Sequence, residues 1–181
     1  QLTLRHAEQA VQAAQHQRLS GRVSVGLAPT TASVLGLPLL QAMRTRYPEV
    51  RLHLVEAMSG HLNAMLNARQ LDLAVVFATD TARRWSVQPL LREGLFLLAR
   101  PDLPGLPPRP RAGRGLRLAA LADLPLVLPT GAHGLRHRVD TAFAAARLQP
   151  RVVAEIDSLA LVMKAVRAGL GASIQPGAAA P

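Results

Sequence analysis

The sequence lacks cysteine altogether and is poor in aromatic residues, with one tryptophan, one tyrosine and three phenylalanines among 181 residues. The missing cysteines exclude disulfides, thiol nucleophiles and cysteine-ligated zinc or iron–sulfur sites within this chain. No run of about 18 apolar residues occurs, so we expect no membrane contact through a spanning helix. Residues 1–20 are polar and helical in pattern, unlike a secretory signal, and we therefore expect a cytoplasmic protein.

Positive charge comes almost entirely from arginine, because Lys164 is the only lysine among 21 basic residues. Eleven acidic residues leave a formal net charge of +10, which is compatible with nucleic-acid binding. The arginines are scattered, however, and their densest stretch, residues 100–117, is rich in proline and glycine. Such a stretch indicates an exposed loop, which offers no helix to a DNA groove. We favour an arginine-biased composition over a nucleic-acid interface.

Residues 22–77 alternate short apolar segments with helical patterns. Strands are predicted at 23–28, 51–56 and 71–77, with helices at 30–47 and 59–69 between them. This βαβαβ order predicts a parallel sheet with right-handed crossovers. The third strand is apolar enough to be buried on both faces.

The second half repeats the alternation after a break. It predicts strands at 87–91, 94–99, 126–128, 152–156 and 172–175, and helices at 118–124, 131–148 and 158–168. The predicted fold class is therefore α/β, with two Rossmann-like lobes and a cleft between them.

Polar residues follow several of the predicted strands, where ligands of open parallel sheets bind against helix starts. Thr30, Ser59 and Thr130 supply hydroxyls at three such positions, and Asp157 follows a fourth strand. The unpaired N–H groups of a helix start attract carboxylate, sulfate or phosphate. Each position can equally be an ordinary helix cap. Convergence on one cleft would favour a binding site, because capping alone does not require it.

No constellation of residues points to catalysis. His133, His137 and Asp140 imitate metal-ligand spacing but imply no complete ligand set, so no metal is expected. The serines have no partner base at a telling spacing. Asp72 is expected to be structural, held among backbone amides. We expect neither an enzyme nor a cofactor.

A series of short motifs nevertheless occurs in one order with consistent gaps. They are GRVSVGLAP (residues 21–29), LPLL (37–40), YPEV (47–50), LHLVE (52–56), LDLAV (71–75), LPLVLP (124–129) and VRAGLGASIQP (166–176). In this series the chain resembles the LysR-type transcriptional regulator family from about residue 21 to 176. Residues 27–77 look closest to the nitrogen-assimilation control branch of that family.

The resemblance implies the effector-binding portion of such a regulator, with a fold like that of type 2 periplasmic binding proteins. Residues 1–19 would end a linker helix, 20–78 would form regulatory subdomain I, and 86–174 subdomain II. Residues 79–85 would be one hinge, and 175–181 a second hinge with a truncated return to subdomain I. The winged helix-turn-helix expected before residue 1 is absent, so DNA would be bound only through that missing part.

The resemblance also implies an effector site between the lobes. Its residues would be Pro29, Thr30, Thr31, Ser33, Met58, Ser59, Phe77, Ala78, Pro129, Thr130, Gly131 and His133. Thr31 and Thr130 are hypothesised to face one another across the cleft as donors to an anionic metabolite or inorganic anion. Family members assemble as homodimers or homotetramers, for which helices 59–69 and 158–168 offer the natural faces here.

Three other classes of protein share part of this description. A solute-binding protein of a transport system has the same two-lobe plan and is the principal alternative, although it would carry a signal peptide. An enzyme on this fold, similar to porphobilinogen deaminase, would need a cysteine to hold its cofactor. A pure interaction module would not need polar groups that converge on a cleft.

Overall fold

A computed structural model describes residues 19–77, 85–111 and 114–179 of the chain. The linker helix predicted within residues 1–19 lies almost wholly outside these ranges. The same is true of the hinge predicted at 79–85, of which only Trp85 is described.

The first lobe is a three-stranded parallel sheet with two helices. Its elements are β1 (Gly21–Leu27), α1 (Pro29–Arg46), β2 (Val50–Glu56), α2 (Ser59–Asn67) and β3 (Leu73–Val75). The strand order β2-β1-β3, parallel throughout, confirms the predicted βαβαβ unit. The prediction that the third strand is buried on both faces is wrong, because β3 lies at an edge of this sheet and Leu73 is 61% exposed.

Asp72 ties the start of β3 to the central strand. The backbone N–H of Ser24 donates to Asp72 Oδ2 at 2.7 Å, and the Asp72 N–H donates to the Ser24 carbonyl at 2.9 Å. This reciprocal pair confirms the structural role predicted for Asp72.

The second lobe contains the remaining strands and helices. They are β4 (Leu95–Leu98), β5 (Leu126–Leu128), α3 (Gly134–Ala145), β6 (Val152–Glu155), α4 (Leu159–Arg167) and β7 (Ser173–Pro176), with 3-10 turns at Leu118–Leu121 and Gly177–Ala179. Strand β5 pairs with β6 in parallel, and β4 pairs with β7 antiparallel. A parallel bridge between Leu126 and Ala172 places these two strand pairs side by side.

The core of the second lobe lies on both faces of β5. Leu126 and Leu128 pack with Phe143 of α3, whereas Val127 packs with Val162 of α4. Successive side chains of a strand point to opposite faces, so α3 and α4 cover opposite sides of the sheet. All five of these side chains are at most 1% exposed.

Three segments differ from the sequence prediction. The helix predicted at 118–124 is only a 3-10 turn at Leu118–Leu121. The strand predicted at 87–91 is wrong: these residues form no strand, and Pro89 at their centre has no N–H to donate to a ladder. The helix predicted from residue 131 begins only at Gly134, because His133 has extended backbone and forms the N-cap. Over the described ranges, no helix combines the length and apolarity that crossing a membrane requires.

Candidate functional site

A cavity that is partly open to solvent lies between the two lobes, and the empty space of the cavity together with its open mouth is about 420 Å³. The first lobe lines it with Ala28, Pro29, Thr30, Met58, Ser59 and Phe77. The second lobe contributes residues around the ends of β5, β6 and β7, namely Pro129, His133, Leu135, Ile156, Leu159, Val162, Gln175 and Pro176. The starts of α1, α2 and α3 therefore converge on one space.

These three helix starts share an unusual feature, since none has a side-chain cap from its own lobe. Helices α1, α2 and α3 follow the extended residues Ala28, Met58 and His133, and no side chain of these N-cap residues accepts a hydrogen bond from the helix that it precedes. By contrast, Ser158 caps α4 by accepting from the Leu161 N–H at 3.4 Å. Ordinary capping therefore does not account for the three starts at the cavity.

Two of the helix starts are instead satisfied across the cleft. The N–H of Gly134, which opens α3, donates to Ser59 Oγ of the other lobe at 2.9 Å. The N–H of Gly60 in α2 donates to His133 Nδ1 at 3.0 Å. The His61 and His133 rings meet edge to face beside these bonds, with centroids 5.3 Å apart. Each lobe thus supplies the acceptor for a helix start of the other.

His133 connects this contact to Asp157. Because Nδ1 accepts from Gly60, a neutral His133 carries its proton on Nε2. That atom is buried and lies 3.1 Å from Asp157 Oδ1, although the two are not aligned as a hydrogen bond. Asp157 is fixed in turn by the Thr130 N–H and by the Thr130 hydroxyl, each donating at 2.9 Å.

The environment of Asp157 favours its charged form. Burial is the largest single influence and raises the pKa of Asp157, but hydrogen bonds from the Thr130 N–H and hydroxyl and the contact with His133 lower it by more. The pKa of Asp157 therefore lies below its ordinary value, and the carboxylate is ionised at neutral pH.

Arg136 holds the wall of the cavity beside His133. It donates to Asp140 Oδ1 and Oδ2 at 2.9 Å each, to Glu155 Oε1 at 2.6 Å and to the Pro129 carbonyl at 3.0 Å. Burial lowers the pKa of Arg136, but the bonds to the two carboxylates outweigh it and raise the pKa above its ordinary value. The position of Pro129 is thus set by a charged network behind it.

The chemistry available inside the cavity is that of binding. Its described lining includes no lysine, arginine, aspartate or glutamate, and its polar side chains are those of Thr30, Ser59, His133 and Gln175. Gln175 is oriented by donating from Nε2 to Ser173 Oγ at 2.9 Å. Across the residues that the structure describes, no group of three histidines or carboxylates is placed to hold a metal ion. Hydroxyls and backbone N–H groups set in apolar walls suit a small ligand with one polar end.

The structure brings seven of the predicted site residues to the cavity. These are Pro29, Thr30, Met58, Ser59, Phe77, Pro129 and His133. Four others, Thr31, Ser33, Thr130 and Gly131, are not part of its lining, and Ala78 lies outside the described residues.

Two hydroxyls of the predicted site residues donate hydrogen bonds to other residues of the chain. Thr130 donates to Asp157, and Ser33 Oγ donates to the Thr30 carbonyl at 2.8 Å. Sequence reasoning missed Gln175, and it placed Gly60 at a candidate helix start without including it among the site residues. Gly60 follows a predicted helix start directly, and Gln175 is a polar residue within an apolar strand, so each carried a signal that could have been followed.

Comparisons with known proteins give a consistent result. A family model described as LysR substrate binding domain matches residues 16–181. The nitrogen assimilation regulatory protein nac of Escherichia coli is 39% identical over 180 residues, covering 98% of this chain and 56% of that protein. The transcriptional regulator BbuR of Bordetella bronchiseptica is 30% identical over 155 residues, covering 84% of this chain and 46% of that protein. The chain thus spans about half the length of the curated relatives it matches.

Solved structures agree in fold. A Corynebacterium glutamicum OxyR mutant has a TM-score of 0.71 at 31% identity, covering 96% of this chain and 54% of that chain. The effector binding domain of QuiR in complex with shikimate has a TM-score of 0.76, covering 87% of this chain and 74% of that chain. At 18% identity this second likeness shows the fold alone, a two-lobe α/β fold like that of type 2 periplasmic binding proteins. The relatives named here are transcription regulators and not enzymes.

Proposed function

The chain belongs to the family of LysR substrate-binding domains, the effector-binding domains of LysR-type transcription regulators, and from this premise we propose that it binds a small anionic metabolite or inorganic anion in the interlobe cavity. The observation that carries the proposal is the convergence, on one cavity between the lobes, of three helix starts that are not capped by their own N-cap residues. The nitrogen-assimilation regulators are among its relatives.

Three features support an anionic ligand. Helix starts carry partial positive charge and N–H donors that suit carboxylate or phosphate. Thr30 and Ser59 place hydroxyls at two of these starts, and the lining residues that the structure describes include no acidic side chain. The QuiR domain, which has the same fold, was solved with shikimate, a small carboxylate.

We further propose that the domain acts within a longer, DNA-binding regulator in the cytoplasm. DNA would be bound by a part of the protein outside this chain, and the signal would pass through rearrangement of a homodimer or homotetramer. Helices α2 and α4 are the proposed pairing faces, and Leu161 of α4 is 51% exposed. Binding can drive such a change only through different ligand affinities of the two arrangements.

A solute-binding role in transport has the same two-lobe plan but is not favoured. The relatives named above are regulators of transcription, and the matching family model is described as the LysR substrate binding domain. A transport role would be indicated if the chain bound a small ligand and the oligomeric state of the longer regulator did not change.

A thermal-shift screen tests the proposal. The chain is heated with small anions and amino-acid-derived metabolites, each beside an uncharged analogue. A ligand at a hundredfold excess over its Kd stabilises the fold by about 2.7 kcal/mol. For a chain of this length that raises the Tm by about 5–10 °C. Stabilisation by the uncharged analogues alone would contradict an anionic effector.

Two variants locate the site. Thr30→Val removes a cavity hydroxyl while keeping the side-chain shape, so it should reduce the shift given by an active anion. Thr45→Val is the matched control, because the exposed Thr45 hydroxyl donates only to the Gln41 carbonyl of its own helix. A Thr31→Val, Thr130→Val double variant tests the donor pair predicted from sequence. An unchanged shift in every variant would refute this location.

A further inference from the structure

Four residues join the lobes directly at one edge of the cavity. Ser59 and Gly60 belong to the first lobe and His133 and Gly134 to the second, and we call them the interlobe latch. Its two hydrogen bonds, Gly134 N–H to Ser59 Oγ and Gly60 N–H to His133 Nδ1, run in opposite directions across the cleft. Ser59 and His133 are 5% and 2% exposed, so water competes poorly for these bonds.

Gly60 allows the lobes to approach this closely. A Cβ at this position would lie 2.6 Å from the carbonyl oxygen of Ala132 and 3.0 Å from His133 Nδ1. The backbone of Gly60 is helical, so its own conformation does not require glycine. The requirement comes from the other lobe, whose backbone occupies the space of a side chain.

His133 lies between the latch and a carboxylate of its own lobe. Its Nε2 lies 3.1 Å from Asp157 Oδ1, and Thr130 fixes that carboxylate through two hydrogen bonds. On the opposite side of the ring, Nδ1 accepts from the Gly60 N–H. The second lobe offers a prepared acceptor to the start of α2.

We propose that the interlobe latch holds the ligand-free lobes in contact, and that the anionic group of the effector competes with it. The N–H groups of Gly60 and Gly134 are donors of the kind that bind anions at helix starts, and both are used by the latch. An anion that accepts from them displaces His133 or Ser59, so binding there and lobe contact exclude one another. The competition rests on the proposed function, whereas the holding of the lobes does not.

The absence of cysteine makes the separation of the lobes directly measurable. Ala42→Cys in α1 and Ala144→Cys in α3 introduce one exposed labelling site into each lobe. Spin labels at these two sites report the interlobe distance by pulsed electron paramagnetic resonance. All further substitutions are made in this doubly labelled chain, and circular dichroism checks that each variant is folded.

Two substitutions open the latch by different means. Gly60→Ala should lengthen the mean label distance through steric contact with Ala132. His133→Phe should do so because it keeps a ring but lacks the Nδ1 acceptor, and His133→Asn should restore the shorter distance by supplying an oxygen in its place. Gly36→Ala is the matched control, since a Cβ at this glycine of α1 has no atom within 4 Å. If Gly60→Ala and His133→Phe both keep the distance of the unaltered chain, the latch does not hold the lobes.

Inorganic sulfate is the probe for the competition. Sulfate that binds the labelled chain, as measured by calorimetry, should lengthen the distance towards that of Gly60→Ala and should change that variant no further. Binding without a change in distance would overturn the competition. If sulfate and the screened carboxylates fail to bind while the variants still lengthen the distance, the anionic effector is refuted and the latch is upheld.

Discussion

Replacing Asp157 by alanine is expected to lower the free energy of unfolding at pH 7 by about 2–3 kcal/mol. The carboxylate accepts two hydrogen bonds from Thr130, each of 2.9 Å. Hydrogen bonds to charged groups contribute about 1.5–3 kcal/mol each. A third of the Asp157 side chain is exposed, which places each bond at the lower end of that range. Asp157→Asn keeps an acceptor but loses the charge, and we expect a loss of about 1 kcal/mol.

The effect of Asp157 should depend on pH in a defined direction. Burial raises the pKa of Asp157, but the hydrogen bonds from Thr130 and the contact with His133 lower it by a larger amount. The pKa of Asp157 in the folded chain is therefore below the ordinary value of about 3.9. The folded state then binds this proton less readily than the unfolded state. Its stabilising contribution is complete above about pH 5 and is lost as the pH falls through the folded pKa.

Urea unfolding followed by circular dichroism measures both effects. The unaltered chain and Asp157→Asn are compared at pH 7 and at pH 3, and their difference should shrink at the lower pH. Asp123→Asn is the control, because within the described structure this exposed carboxylate accepts no hydrogen bond. The reasoning is refuted if Asp157→Asn costs no more than the control at pH 7, or if the difference persists undiminished at pH 3.

Three further substitutions probe other parts of the fold. Phe143→Ala removes a fully buried ring and should cost about 3–5 kcal/mol in urea unfolding; a much smaller loss would mean that the second-lobe core collapses to fill the gap. Gly171→Ala places a Cβ 2.7 Å from the Pro125 carbonyl oxygen and should lower the free energy of unfolding by about 1–3 kcal/mol. Gly131→Ala is its control, because a Cβ there has no atom within 4 Å. Equal Tm values for the two variants would contradict this expectation. Leu161→Lys changes a side chain that is 51% exposed on α4, one of the proposed pairing faces, so sedimentation should show weaker self-association with an unchanged Tm; a fall in Tm would point to a packing role instead.

The alternation of strands and helices could be predicted from local pattern alone. Apolar strands such as residues 23–27, bounded by helix-start residues, correctly predicted the βαβαβ succession and the parallel sheet of the first lobe. Asp72 was recognisable because a lone carboxylate beside an apolar strand needs nearby N–H partners. The strand predicted at residues 87–91 was wrong because the prediction followed their apolar composition. It gave too little weight to Pro89, which has no N–H to donate to a neighbouring strand.

The cavity lining could be predicted only in part, because it depends on how the lobes meet. Pro29, Ser59 and His133 were found from their positions after strands, which is a local signal. The hydrogen bond from the Thr130 hydroxyl to Asp157 was not predicted. These residues are far apart in sequence, and their contact depends on the register of β5 and β6. For the same reason, the need for glycine at residue 60 becomes visible only when Ala132 is placed against it.

The antiparallel pairing of β4 with β7 also bears on the order in which the protein folds during its synthesis. The first lobe takes its three strands from residues 21–75, so its sheet can form once that stretch has left the ribosome. In the second lobe, residues 95–98 pair with residues 173–176. Leu126 of β5 also forms a bridge with Ala172, the residue directly before β7. The sheet of the second lobe can therefore form only after residue 176 has been synthesised, because pairing between distant strands stabilises the fold only once the loop between them has closed. The helix start at Gly134 precedes β7 in the chain, so its N–H can bond to Ser59 of the first lobe before the sheet of the second lobe is complete.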